Sequence, residues 1–351
     1  MQNYSCKNCG AELFWDTQAG CLKCQYCDSE YQAEDFADHT VDPNAAQDPE
    51  TIDTQYAATE VEDGMVLYKC STCGGEVVAL PTTMATICPY CGEAISITSK
   101  SAGMFRPEMC IPFKQSKKEI MEVYKQYVNK SLLTPKTFKE ESTIEKITGL
   151  FAPFYLHDVY GSGNYVFTGE TTSARKRGDD RVTTHKVYDL SVRTSGEFKK
   201  IPTDASTKLE NKLMEAIEPY KYDEEKPYNP AYMAGFVAEQ GDDEKADLDE
   251  RAETRFKTGL RDKARSLFSG YSGVTVKTEN VNISKHDSQY VMLPVWMLNV
   301  KHGDKKYTFA INGQTGKVSG KLPMDVGKLA LIGAGVFGAA DLIVALISMF
   351  A

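Results

Sequence analysis

Residues 4–31 read YSCKNCGAELFWDTQAGCLKCQYCDSEY, and the spacing of cysteines in this stretch sets the architecture of the front of the chain. Cys6 and Cys9 form one C-x-x-C pair, and Cys24 and Cys27 form a second. Each pair turns two thiolates toward one point, and two pairs close a tetrahedron around a single ion. The pattern returns further on as Cys70-Ser-Thr-Cys73-Gly74 and Cys88-Pro-Tyr-Cys91, with the same fourteen-residue gap between pairs. A repeated gap predicts two copies of one unit, each a small zinc ribbon with four cysteine ligands. Two structural Zn2+ ions are expected. One is held by Cys6, Cys9, Cys24 and Cys27, the other by Cys70, Cys73, Cys88 and Cys91. Four thiolates leave no open coordination position, so neither ion is expected to activate water. Cys21 aligns with Ala85 of the second copy and falls outside the ligand set. Cys110 has no partner pair and reads as a buried apolar residue.

Outward from residues 1–31 (ribbon 1) and 64–100 (ribbon 2), the composition shifts. Residues 32–63 hold ten Asp or Glu and no Lys or Arg, which reads as a flexible acidic linker that lets the ribbons move independently. The whole chain has 351 residues and a net charge of −9. The first ribbon offers only Lys7 and Lys23 against Glu12, Asp16, Asp28 and Glu30. Without a basic stripe there is little counterion release, which argues against nucleic acid as the ribbons' partner. Phe14, Trp15 and Tyr26 read either as a protein-facing surface or as the ribbon's own small core. Reduced thiolates imply a reducing compartment, and no signal peptide opens the chain.

Residues 104–325 read as an α+β domain. Ile120, Val123, Tyr124, Tyr127 and Val128 recur at helical spacing, with Ser116 as N-cap and Glu119 three residues on. Strands are expected at 150–168, 182–201, 273–284, 289–301 and 306–319, and helices at Lys208–Ile217 and Asp247–Phe268. Phe151-Ala-Pro153-Phe-Tyr-Leu-His-Asp158-Val resembles Met292-Leu-Pro294-Val-Trp-Met-Leu-Asn299-Val. The repeat predicts two related β-hairpin halves, each with a proline in its first strand at a bulge, a strand start or a sheet edge. Gly161-Ser-Gly163 reads as the first hairpin's turn, and Ile311–Gly316 as a tight turn. The histidines at 39, 157, 185, 286 and 302 show no local spacing. Leu298 stands where His157 stands in the repeat, which favours a packing role for that histidine.

Leu329 to Phe350 is twenty-two residues with one charge, Asp341. As a helix it reaches roughly 33 Å, enough to cross a bilayer core. Lys317, Lys321 and Lys328 flank its N-terminal side, so the positive-inside rule leaves the bulk of the chain in the cytoplasm and the protein single-pass in the cell membrane. Ala334, Gly338, Asp341 and Ala345 share a face suited to contact with another transmembrane helix. No GxxxxGK[ST], GxSxG or HExxH occurs, and no catalytic constellation is expected.

The CPYCG of the second ribbon, GLFAPFYLHD at 149–158, AIEPY at 216–220, LPVWMLNV at 293–300 and KKYTFAINGQTGKVSGKLP at 305–323 together resemble a family of Firmicutes proteins with N-terminal TFIIB-type zinc ribbons and C-terminal membrane helices. Members often carry the label of primosomal helicase or replication protein. The absence of a nucleotide-binding motif argues against that label for this chain. The layout is also similar to YdjG-like membrane proteins, which accompany PspA and SPFH-domain proteins in envelope-stress clusters. The resemblance implies partners of those two kinds. The expectation is a non-enzymatic, membrane-anchored cytoplasmic adaptor that recruits protein partners; the alternative is a nucleic-acid-binding zinc-ribbon protein.

Overall fold

The structure, a computed structural model, describes residues 4–36, 107–140, 144–178 and 180–330, and the backbone of five strands within 59–96. Three short strands build the front: β1 (Leu13–Asp16), β2 (Cys21–Cys24) and β3 (Glu30–Tyr31), in the antiparallel order β1-β2-β3. The strands β4 (Thr59–Val61), β5 (Met65–Lys69) and β6 (Glu76–Ala79) form a second small sheet. The pair β7 (Thr83–Ile87) and β8 (Ala94–Ser96) joins the edge of the main sheet.

The body then runs as β9 (Met109–Cys110), α1 (Lys117–Asn129), β10 (Ile144–Arg177), β11 (Asp180–Asp204), α2 (Asn211–Ala216), β12 (Lys226–Pro227) and β13 (Val237–Glu239). It ends with α3 (Lys245–Ser266), β14 (Ser272–His302), β15 (Lys305–Asn312) and β16 (Val318–Gly320). Helix α1 starts as expected. Ser116 and Glu119 form a reciprocal capping box, and Ile120, Tyr124 and Val128 are buried. The fold is α+β and mostly β.

The two proline segments lie side by side. The repeat equates Phe151 with Met292 and Pro153 with Pro294, hence Ala152 with Leu293. The antiparallel register of β10 and β14 pairs Ala152 with Leu293 itself. A local two-fold axis therefore passes between those residues. The order short strand, helix, long strand, return strand occurs twice, as β9-α1-β10-β11 and as β13-α3-β14-β15. The halves interlock: β9 pairs with β14, and β13 with β10, both in parallel. Helix α1 packs on Phe309 of the second hairpin, while Phe256 of α3 packs on Phe198 of the first.

Neither proline is at a sheet edge. Pro153 sits where β10 leaves β13, paired at Leu150 and Phe151, and takes up β11 from Phe154. Pro294 sits where β14 leaves β9 and takes up β15 from Val295. The Pro153 carbonyl accepts from Ala205 N–H and the Pro294 carbonyl from Gly313 N–H. A missing donor costs little where one neighbouring strand ends and the next begins.

Gly161-Ser-Gly163 is no turn. It lies mid-strand in β10, paired to both β11 and β14. A Cβ on Gly161 would stand 2.6 Å from the Asn282 carbonyl oxygen and 3.0 Å from the Phe256 ring, so the glycine allows close approach of α3 and β14. The first hairpin turns instead at Gly178, with β10 running 34 residues, roughly 110 Å of strand. Residues 273–301, read as two strands, form one. Lys285-His286-Asp287-Ser288 continues β14 rather than breaking it.

Residues 33–36, assigned from sequence to the acidic linker, form a 3-10 turn with Ala33 buried, and Thr59–Val61 is a strand. The ribbon's apolar side is shared with the body. Tyr4, Leu13, Trp15 and Leu22 join one core with Phe113, Phe151, Tyr232 and Trp296. Among the described residues no helix is long and apolar enough to cross a membrane. The apolar run at 329–350 lies, from residue 331 on, outside them, Asp341 included.

Candidate metal centre

Two tight turns present the four thiols of the first ribbon. Gly10 N–H donates to the Cys6 carbonyl at 2.8 Å, and Asp28 N–H to the Cys24 carbonyl at 3.0 Å. Each turn ends in a left-handed residue, Gly10 at φ 76° and Asp28 at φ 57°. The strands β1 and β2 carry the second turn across to the first. The Sγ atoms of Cys6 and Cys27 are 3.4 Å apart, those of Cys9 and Cys24 3.5 Å, and all four lie within 4.8 Å of one another. Sulfurs about 2.3 Å from a tetrahedral Zn2+ stand roughly 3.8 Å apart, so the donor set could hold one such ion after shifts of a few tenths of an ångström.

The surroundings divide the thiols: Cys6 and Cys27 are drawn toward the thiolate form that a cation requires, while Cys9, although the Ala11 backbone lowers it, is pushed up to about 12 by its contacts with Cys27 and Cys24. The Tyr31 hydroxyl lies 3.3 Å from Cys6 Sγ and holds that thiol down at about 5. The Ser29 hydroxyl, 3.1 Å from Cys27 Sγ, lowers the Cys27 pKa, helped by the Ser29 backbone. Four thiolates around one tetrahedral ion would leave no open coordination position.

Cys21 is buried and outside the cluster, as its misalignment predicts. Cys110 is fully buried, and burial pushes its thiol up to about 12, which leaves it protonated and inert. Cys70, Cys73, Cys88 and Cys91 lie outside the described residues. Of the candidate aromatics, Trp15 is buried and Tyr26 is 85% exposed.

The ribbon is bound to the body by specific contacts. Trp15 Nε1 donates to the Phe113 carbonyl at 3.2 Å, and the Trp15 ring meets Tyr232 edge-on at 4.9 Å. Tyr232 Oη donates to Glu34 Oε1 at 3.0 Å, and Asn229 Nδ2 to the Ala33 carbonyl at 3.0 Å. Along the seam runs an open cleft of about 750 Å³, lined by Trp15, Gln18, Ile111, Phe113, Glu119 and Glu224 among others. Sequence reasoning missed this seam, because β1 carries no signal of what it will meet. It also missed the convergence of His157, Asp249 and His286. Those residues are far apart in the chain, and only the sheet register with α3 across it unites them.

A four-cysteine ribbon docked on an interlocked, two-fold α+β sheet defines the class of protein. The chain is 31% identical over 347 residues to the uncharacterized protein YdjG of Bacillus subtilis (strain 168), an alignment covering 99% of this chain and 97% of that protein. The chain belongs to the YdjG family. No family model and no solved structure matches it.

Proposed function

We propose that the chain is a membrane-anchored adaptor whose metal-folded ribbons and interlocked body recruit protein partners to the cytoplasmic face of the cell membrane. The observation that carries this reading is the docked ribbon with its solvent-facing side. Tyr26 projects from the second cysteine turn, and the seam cleft offers mixed apolar and carboxylate lining suited to an extended segment of a partner. The ribbon is of the TFIIB type. By the cysteine repeat, the second ribbon holds a second Zn2+ through Cys70, Cys73, Cys88 and Cys91. The membrane part of the reading rests on the apolar run from Leu329 to Phe350. A helix opens at residues 326–330, with the Lys328 N–H donating to Asp325 Oδ1 at 3.1 Å, and Val326 and Leu329 are exposed there. Asp341 would face a partner helix. PspA-like and SPFH-domain proteins are the partners the layout suggests.

The test is co-purification from detergent-solubilised membranes with tagged PspA-like and SPFH-domain proteins as prey. Capture should fall on chelation and in Ala19→Arg and Tyr26→Ala, whose side chains stand free of the core. Capture unchanged by all three would remove the ribbon from the reading. A second reading, binding of nucleic acid, draws on the tip of the first hairpin, where Arg175, Lys176, Arg177, Arg181 and Lys186 are exposed. Filter binding at varied salt separates the two: sub-micromolar affinity with a steep salt slope favours nucleic acid.

A further inference from the structure

His157 on β10 and His286 on β14 are diagonal neighbours. The register pairs His157 with Ser288 and His286 with Val159, so both rings stand on one face of the sheet. Helix α3 crosses that face and brings Asp249 and, one turn on, Glu253 above the rings. His157 Nδ1 and His286 Nε2 are 2.9 Å apart. Asp249 Oδ1 lies 3.5 Å from the first and 3.8 Å from the second. That carboxylate oxygen is buried and has no hydrogen-bond partner.

The outer nitrogens also have polar neighbours. His157 Nε2 is 2.7 Å from Thr203 Oγ1, and His286 Nδ1 is 3.6 Å from Glu253 Oε1. With the outer positions protonated toward Thr203 and Glu253, the two inner nitrogens face each other as lone pairs, with the bare Asp249 oxygen beside them. Such a triad suits one positive centre, a metal ion or a proton shared between the two nitrogens. Second partners of this kind, a hydroxyl and a carboxylate behind the imidazoles, are what orient histidines around a metal. Of the nearby cations, Arg251 and Arg255 are paired with Asp204 and Glu218, and Lys245 Nζ lies over the Tyr155 ring, 5.9 Å from its centroid. His157 is fully buried, whereas Asp249 and Glu253 remain about one-third exposed, which leaves an entry path from solvent.

We propose that His157 Nδ1, His286 Nε2 and Asp249 Oδ1 form a further metal site, apart from the cysteine sites, for a divalent first-row transition ion such as Zn2+. Two imidazoles and one carboxylate leave at least one coordination position open, unlike the four-cysteine ribbon. Water or an oxygen-bearing ligand would take that position. Thr203 and Glu253 act as positioning residues behind the histidines.

Co2+ uptake by the full-length chain distinguishes this site from the ribbons. Thiolate-bound Co2+ gives an intense sulfur-to-metal charge-transfer band, and Co2+ held by nitrogen and oxygen gives only weak ligand-field bands. The wild-type chain should take up one Co2+ beyond its thiolate sites, without added charge-transfer intensity. His286→Ala and Asp249→Asn should each lose that equivalent and keep the charge-transfer band, with unchanged circular dichroism. Glu253→Gln should retain the site with affinity weakened roughly 10–100-fold. Equal Co2+ stoichiometry in wild type, His286→Ala and Asp249→Asn would overturn the proposal, because the facing nitrogens would then share a proton and hold no ion. Asp249→Asn preserves the size of a partly exposed side chain, so the comparison survives if His286→Ala fails to fold.

Discussion

Among the cysteines, position within the repeat separates ligand from bystander. Cys24 and Cys21 lie on the same short strand and are both buried, yet only Cys24 reaches the cluster. Cys24→Ser should lower zinc content by one ion per chain, and Cys21→Ala should leave it intact; elemental analysis of the purified variants reads the difference. Asp204 illustrates a titration effect. Its carboxylate is buried at the end of β11 and meets Arg251 Nη2 at 2.7 Å. Burial nevertheless raises its pKa, since desolvation outweighs the pairing with Arg251. A raised carboxyl pKa means that the folded state binds its proton more tightly than the unfolded state does. The stability this gives is present below about pH 3.9 and is lost as pH rises through the folded value. Thermal melts across that window should show the wild-type Tm falling relative to Asp204→Asn. A pH-independent difference would contradict the assignment. Residue identity made the four-cysteine set legible, because four thiols at fixed spacing encode their own geometry. His157 was opaque, because its partners come from β14 and α3.

At the scale of elements, local signals performed as local physics allows. The Ser116–Glu119 capping box is contained in four residues, and α1 begins where it says. Strand ends were less legible. Glycines at 161 and 163 read as a turn, but they answer to Phe256 and Tyr165, whose rings press on them. The long hairpin divides into two regimes. Up to Glu170, β10 is flanked on both sides, by β11 and β14. Beyond it, the two strands pair only with each other, and their side chains at 172–178 and 180–189 are exposed. Replacing residues 173–184 with a two-residue turn should therefore change stability by no more than about 0.5 kcal/mol, as surface changes do. Denaturant unfolding followed by circular dichroism measures it. A loss of several kcal/mol would mean that the tip supports the fold.

At the scale of the whole molecule, the ribbon and the body share one core. Trp15 is buried at their seam, and Trp296 in the body. Removing the metal takes away the constraint that shapes the ribbon, since so short a unit lacks a sufficient core of its own. Chelation should expose Trp15 and shift its fluorescence to the red, while Trp296 stays buried. The Trp15→Phe chain should show no such shift. Limited proteolysis of the chelated protein should cut within residues 4–36 and spare 107–330. Red shift persisting in Trp15→Phe would show that the body opens as well.

The sequence by itself determined the four-cysteine unit, the capped helix, the two-fold repeat and the closing turn at 311–316. Each of these is written in residues that are neighbours or in regular spacing. The tertiary structure alone decided that the two halves exchange strands, that both prolines stand where one neighbouring strand gives way to another, and that the ribbon is seated on the body. It alone decided that His157, Asp249 and His286 meet. Those outcomes depend on which surfaces face each other after folding, and strand pairing across more than a hundred residues leaves no mark on the local pattern of either partner.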